Sequence, residues 1–150
     1  MDLILWRHAE AVDGYPDHER KLTNKGLQQA NSMANFLTPR LPSHTRILVS
    51  PALRAQQTAS ALTTKFTTES ALDTHTSPHS VLSACGWPTS NTAALLVGHQ
   101  PWIGQVAAML LTGTTEYWSV KKGSIWWFSH REREDEHSTI LRLVISPEHL

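Results

Sequence analysis

Residues 3–11 read Leu3-Ile4-Leu5-Trp6-Arg7-His8-Ala9-Glu10-Ala11. Four apolar residues in a row, Leu3 to Trp6, are short for a helix and suit a strand buried on both faces of a parallel sheet. Arg7 and His8 follow at its carboxyl end, where open α/β sheets form their ligand crevices. A histidine nucleophile beside a fixed cation suits chemistry on a phosphoryl group. Taken alone, the pair reads equally well as a strand end running into solvated polar residues. The remainder of the chain decides between the two.

Asp13 to Arg20 is polar, contains Gly14 and Pro16, and reads as a loop. Leu27, Ala30, Met33, Ala34 and Leu37 then recur at helical spacing, with Thr23 or Asn24 as N-cap and Pro39 and Pro42 as stops. Ile47-Leu48-Val49 is a second strand. Ser50-Pro51 ends it and opens a helix over 52–65, since proline fits a first helical turn. Residues 66–69 suggest a short strand, and 80–84 a short helix inside a Ser/Thr/Pro-rich stretch. Ala93 to Val97 is a buried strand, followed by Gly98-His99-Gln100-Pro101 and a helix from Trp102 to Leu111. After a loop, Gly123–Ser129 and Thr139–Ile145 read as closing strands around a charged, solvated turn at Arg131–His137. The order predicts one α/β domain over residues 1–150. It has three layers, α/β/α, with a mostly parallel sheet and antiparallel C-terminal strands.

Composition narrows the function. The chain has 150 residues, 40% hydrophobic and 17% charged, and its formal net charge is zero. That is a globular composition without the basic field that nucleic acid or an anionic membrane would require. The one cysteine, Cys85, excludes an internal disulfide and reads as a buried thiol. The nine histidines include no H-E-x-x-H spacing, so no metal site is expected. Neither a targeting segment nor a membrane span is visible, which leads us to expect a cytoplasmic protein.

Three predicted strand ends carry similar chemistry. The first ends in Arg7-His8, the second in Ser50-Pro51 with Arg54 one turn on, and the fourth in Gly98-His99. In a parallel sheet these ends share an edge and converge on one pocket. Arginine forks match phosphate oxygens, and the helix start near Arg54 adds partial positive charge. Arg20, in the first loop, is placed to cover that pocket.

These residues resemble a known family. Leu5-Trp6-Arg7-His8-Ala9-Glu10-Ala11 is similar to the R-H-G/A signature of the histidine phosphatase superfamily, in the R-H-A-x-A form of its small SixA-like branch. The run Ser50-Pro51-Ala52-Leu53-Arg54-Ala55-Gln56-Gln57-Thr58 resembles S-P-x-x-R-A-x-Q-T, and Leu96-Val97-Gly98-His99-Gln100-Pro101 resembles L-V-G-H-x-P. Arg20, Leu22-Thr23 and Gly26 match R-x-L-T-x-x-G. The motifs keep the family's order over residues 3–101; the tail from Thr112 matches loosely.

The resemblance implies the histidine phosphatase (phosphoglycerate mutase-like) fold, a metal-independent hydrolase and no cofactor. His8 would be the nucleophile that becomes phosphorylated. Arg7, Arg54 and His99 would bind the phosphoryl oxygens, joined by Arg20. The branch acts on phosphohistidine in phosphorelay or phosphotransfer proteins, so the implied partner is a phosphohistidine-containing domain and the product inorganic phosphate. The chain would act as a monomer in signal transduction.

Nearby cations are expected to lower the His8 pKa and keep one ring nitrogen free, the other nitrogen donating to a backbone carbonyl. The arginines, and His99 when protonated, would face the charge of the transition state, each good donor contributing about 3 kcal/mol. Glu10, Asp17 and Asp73 are the candidates for a general acid, none of them strong. A weak acid suits a phosphohistidine leaving group, which departs as imidazole. Two other readings stay open: a small-molecule phosphomonoester phosphatase, marked by a carboxylic acid at the leaving group, and a silent phosphate-binding module. His18, His44, His75, His79, His130, His137 and His149 read as surface residues, with His75 and His79 nearest the pocket. Trp6, Trp126 and Trp127 are expected against the sheet, Trp102 at the pocket mouth and Trp118 as a loop anchor.

Overall fold

A computed structural model describes residues 1–133 and 136–150. Its strands are β1 (Asp2–Arg7), β2 (Arg46–Val49), β3 (Thr67–Thr68), β4 (Ala94–Gly98), β5 (Ile125–Arg133) and β6 (Glu136–Ile145). Its helices are α1 (Asn24–Leu37), α2 (Leu53–Ser60), α3 (Pro78–Cys85) and α4 (Trp102–Thr112). They form one six-stranded sheet in the order β3-β2-β4-β1-β5-β6. Pairing is parallel from β3 across to β1 and antiparallel from β1 to β6.

Strand periodicity explains the continuous apolar runs. Leu3 and Leu5 of β1, with Ala94 and Leu96 of β4, face one layer, where they meet Val81 and Cys85 of α3 and Ile103 and Val106 of α4. Ile4 and Trp6, with Leu95 and Val97, face the other, against Met33 and Leu37 of α1 and Ala55 and Ala59 of α2. Side chains alternate across a strand, so a strand covered on both faces must be apolar at every position. The α/β/α architecture is therefore the expected one.

Local chemistry sets the helix ends. Thr23 caps α1, its Oγ1 accepting from the Gly26 N–H at 2.9 Å. Gly26 presses on the Glu10 backbone so closely that a Cβ would stand 1.9 Å from the Glu10 carbonyl oxygen. That contact docks the start of α1 onto the loop after β1 and gives the glycine of the fourth motif its physical reason. α3 is longer than the expected 80–84 because Ser77 caps it and Pro78 fills its first turn. α2 stops at Ser60, short of the expected 52–65. β5 and β6 run on into the charged stretch as a long antiparallel ribbon; of the turn expected at Arg131–His137, residues 134 and 135 lie outside the described residues. No helix among the described residues is long and apolar enough to cross a membrane.

Candidate active site

The register of the parallel strands brings the three motifs together. Arg7 pairs with Gly98 and Val49 with Val97, so His8, Ser50 and His99 leave the sheet side by side. The His8 N–H donates to the Gly98 carbonyl at 2.9 Å and the Ser50 N–H to the Val97 carbonyl at 3.0 Å. From β1 the chain leaves toward α1, and from neighbouring β4 toward α4 on the opposite face, which opens a crevice between these two strand ends. Gly98 is required at the edge: a Cβ there would stand 2.0 Å from the Trp102 ring.

His8 is 6% exposed and its ring lies 5.2 Å from that of His99, centroid to centroid. Its Nδ1–H donates to the Ala9 carbonyl at 2.8 Å. A carbonyl only accepts, so the proton sits on Nδ1 and Nε2 keeps its lone pair. The Ala9 peptide is itself held, its N–H donating to the buried Thr58 Oγ1 at 3.0 Å. Burial pushes the His8 pKa down to about 3; the hydrogen bond to Ala9 opposes this, and the charges of His99, Arg54 and Arg7 add to the lowering. The expectation that neighbouring cations keep His8 neutral is corrected in its cause. Removal from water does more than they do.

His99 is likewise pushed down to about 4, first by burial and then by Arg54. The condition left open in the sequence, a protonated His99, is not met near pH 7, where the ring is neutral. Its Nε2 lies 2.6 Å from Ser50 Oγ, and that oxygen also accepts from the Ala52 N–H at 3.3 Å. In the tautomer where Ser50 donates to Nε2, the ring proton of His99 sits on Nδ1. Arg7 donates through Nη1 to the Val120 carbonyl at 2.6 Å; burial and the nearby Arg54 charge lower its pKa. Arg54, 4% exposed in the first turn of α2, donates through Nη1 to the Asp17 carbonyl and through Nη2 to Asp17 Oδ2, at 2.8 and 3.0 Å. Arg7 Nε, Arg54 Nε and His99 Nδ1 are buried without a hydrogen-bond partner among the described residues.

Arg20 sits one carboxylate away. Its Nη1 donates to Asp17 Oδ1 at 3.0 Å and its Nε to the Val12 carbonyl at 2.8 Å. Of the acid candidates, Asp17 lines the cleft over Arg54, and its pKa is lowered chiefly by the hydrogen bond from Arg20. Asp73 is pushed up by burial, but hydrogen bonds from His18 and the Thr74 N–H outweigh this and hold it below the usual carboxylate range. Glu10 lies elsewhere, accepting from Thr23 Oγ1 at 2.8 Å in a hollow beside Arg7, Lys25 and Lys121. The cleft over Arg54 measures about 670 Å³ and is walled by His18, His75 and Gln100 among others. His79 is exposed on α3 and does not line it.

Trp102 is not at the mouth. The first turn of α4 carries it under β4, fully buried, with its indole N–H donating to the Leu72 carbonyl at 3.2 Å. Trp118 is the loop anchor expected, packed 6.2 Å from Trp126 with its carbonyl accepting from Gln100 Nε2. Three contributors escaped the sequence reading. Thr58 and Gln57 stand inside the quoted Ser50–Thr58 motif, and Gln57 Oε1 accepts the Leu22 N–H at 2.7 Å. His18 is the exposed histidine expected, and what the sequence did not show is its contact with Asp73 on the rim of the cleft.

Comparison with known proteins identifies the family. The profile of the histidine phosphatase superfamily (branch 1) matches residues 3–77. The phosphohistidine phosphatase SixA of Escherichia coli strain K12 is 30% identical over 124 residues, 77% of this chain and 77% of that protein. The protein histidine phosphatase SixA complexed with tungstate superposes with a TM-score of 0.79 at 23% identity, covering 99% of each chain. A phosphoserine phosphatase of Entamoeba histolytica, bound to phosphoserine, gives 0.73 at 20% identity, over 99% of this chain and 98% of its own. A shared fold, a matching profile and a relative aligned over most of its length place this chain in the histidine phosphatase superfamily, among its SixA-like hydrolases.

Proposed function

We propose that the chain is a protein phosphohistidine phosphatase, which transfers a phosphoryl group from a histidine of a phosphorelay or phosphotransfer domain to His8 and then to water. The observation that carries this reading is the set of buried, unpartnered groups Arg7 Nε, Arg54 Nε and His99 Nδ1 around a histidine whose Nε2 lone pair is free. Buried polar groups without partners cost stability, and a phosphoryl dianion is an acceptor matched to donors of this kind.

In this mechanism neutral His8 attacks phosphorus through Nε2. Its ring becomes cationic, and the Ala9 carbonyl on Nδ1 stabilises that charge as it forms. Arg7, Arg54 and His99 donate to the equatorial oxygens in a site shielded from water, where such donors act most strongly. The substrate imidazole leaves, water attacks the phosphohistidine and inorganic phosphate departs. Asp17 and Asp73, both held in the ionised form, fit a leaving group that asks little of a carboxylic acid. Arg20 steadies Asp17 and takes part in phosphate binding through it. We assign the 150 residues to a single domain, acting as a cytoplasmic monomer on a protein partner.

The test is dephosphorylation in chelator of two substrates, a phosphohistidine-bearing domain and p-nitrophenyl phosphate, by wild type and His8→Ala. Turnover of the first in strong preference to the second, abolished in the variant, is expected. Preference for the ester points to the phosphomonoesterase, and phosphate binding without turnover of either to a binding module.

A further inference from the structure

His18 and Asp73 are 55 residues apart in sequence, yet His18 Nε2 lies 2.7 Å from Asp73 Oδ1. The pair bridges the loop after β1 and the segment before α3. His18 lines the same cleft as Arg54, Thr74 and Gln100, and its neighbour Asp17 is the residue that grips Arg54. Both His18 and Asp73 are close enough for their charges to act on His99.

Direction makes this position informative. His8 is buried, and in-line displacement sends the leaving group away from the attacking nitrogen. Arg54, one of the phosphoryl donors, lines the cleft together with His18, so the leaving group is taken to exit through that cleft. A phosphorylated imidazole leaves as a neutral base when the ring nitrogen remote from phosphorus carries a proton. That nitrogen lies about one ring-width farther out than the bond that breaks. His18 stands on the rim, with Nε2 engaged by a carboxylate and Nδ1 without a hydrogen-bond partner among the described residues. A carboxylate on one nitrogen fixes the tautomer and stabilises the imidazolium, as in hydrolytic triads.

We propose that His18, oriented by Asp73, gives the leaving group its proton and takes one back from water, and so makes the site selective for nitrogen leaving groups. The proposal rests on the phosphohistidine phosphatase reading. In the first step the His8 Nε2 lone pair forms the new P–N bond. The old P–N bond breaks, its electron pair stays with the substrate nitrogen, and the remote ring nitrogen receives the Nδ1 proton of His18, which starts as the imidazolium and ends neutral. In the second step a water oxygen bonds to phosphorus, the P–Nε2 bond of His8 breaks with its pair returning to the ring, and His18 takes a proton from the water. Both histidines and their charges are then restored.

The experiment compares single-turnover phosphoryl transfer from a phosphohistidine-bearing domain and from p-nitrophenyl phosphate, whose phenolate departs as an anion. His18→Gln keeps an N–H for Asp73, and so the link between the two loops, but carries no transferable proton. The expected loss on the phosphohistidine domain is about 100-fold, at least tenfold larger than the loss on the ester, and the Asp73→Asn variant moves the same ratio in the same direction. Added imidazole restores the phosphohistidine rate in His18→Ala. A purely structural tether would lower both rates together. A rate ratio that changes less than tenfold in His18→Gln overturns the proposal; should that variant fail to melt cooperatively, Asp73→Asn is held to the same criterion. If the wild type itself fails on the phosphohistidine domain, the functional reading has failed; if the wild type succeeds and the ratio stays put, only the role of His18 has.

Discussion

Thr58→Val isolates the part of the nucleophile's support that comes from α2. Thr58 is fully buried; its Oγ1 accepts the Ala9 N–H at 3.0 Å and donates to the Arg54 carbonyl at 2.7 Å. Valine keeps nearly the same shape and removes both bonds. The Arg54 carbonyl belongs to a helix, whereas the Ala9 N–H loses its side-chain acceptor in a dry interior, which costs about 1–3 kcal/mol. For a chain of this length, ~1 kcal/mol corresponds to a melting shift of about 2–4 °C. A loss of about 2 kcal/mol therefore lowers Tm by roughly 4–8 °C. Ala9 also supplies the carbonyl that holds His8 Nδ1, so a rotated Ala9 peptide misaims Nε2. Misplacement near 1 Å costs up to about 100-fold in rate. The assay is single-turnover phosphorylation of His8, run beside thermal melts of Thr58→Val and Thr58→Ser. Thr58→Ser keeps the hydroxyl and is expected to phosphorylate within a few-fold of wild type. Equal phosphorylation rates in Thr58→Val and wild type, at reduced Tm, would show that the hydroxyl serves stability alone and would refute the positioning argument.

Inorganic phosphate at 100 times its Kd should stabilise the protein by about 2.7 kcal/mol, a rise in Tm of roughly 5–11 °C, and Arg54→Ala should abolish the shift; a wild type that melts at the same temperature with and without phosphate contradicts the donor cluster. Stability should also rise with pH on the acid side. The folded pKa values of His8 and His99 are about 3 and about 4, against 6.5 for an ordinary histidine, so between these limits the unfolded chain binds more protons. Each ring contributes up to ~1.4 kcal/mol per pH unit, fully present above 6.5 and lost as pH falls toward about 4 for His99 and about 3 for His8. Urea midpoints measured at pH 5 and pH 7 check this, and equal midpoints would contradict neutral, buried rings.

Much of the site was legible because its residues sit at strand ends, and strand ends are set by short apolar runs. Arg7 ends β1, His8, Ser50 and His99 follow β1, β2 and β4 directly, and parallel register does the rest. The misses have different causes. Trp102 stands three residues after His99, but the turn at Gln100-Pro101 starts α4 at once and swings that side chain beneath the sheet. The charge state of His99 depends on burial by residues far along the chain, which a list of neighbouring cations does not contain. His18 and Asp73 each lie in an irregular segment without hydrophobic period, and only the packing of the two loops makes them a pair. Thr58 falls inside the predicted helix and the quoted motif with no role assigned; its polar function appears only when the Ala9 N–H is traced to its acceptor.

The electrostatics of the free site explain its division between buried and exposed parts. Two guanidinium groups held close together repel, and removal from water lowers the pKa of Arg7 further. Arg54 is compensated by Asp17, whose carboxylate is half exposed and belongs to a surface loop. A counter-ion of that kind keeps the arginine charged and aimed before substrate arrives, and it yields to a phosphoryl oxygen without leaving a buried carboxylate behind. Arg7 is compensated through a backbone carbonyl, that of Val120, which cannot neutralise it. The net positive field of the pocket thus remains for an anion to cancel. The two histidines are the complementary choice. Cationic rings there would worsen the repulsion, and burial keeps them neutral: His8 as a base with a free lone pair, His99 as a donor without charge. The strands that carry them are apolar on both faces, so the donors cannot relax toward water, and the pocket is organised for a dianion before one enters it.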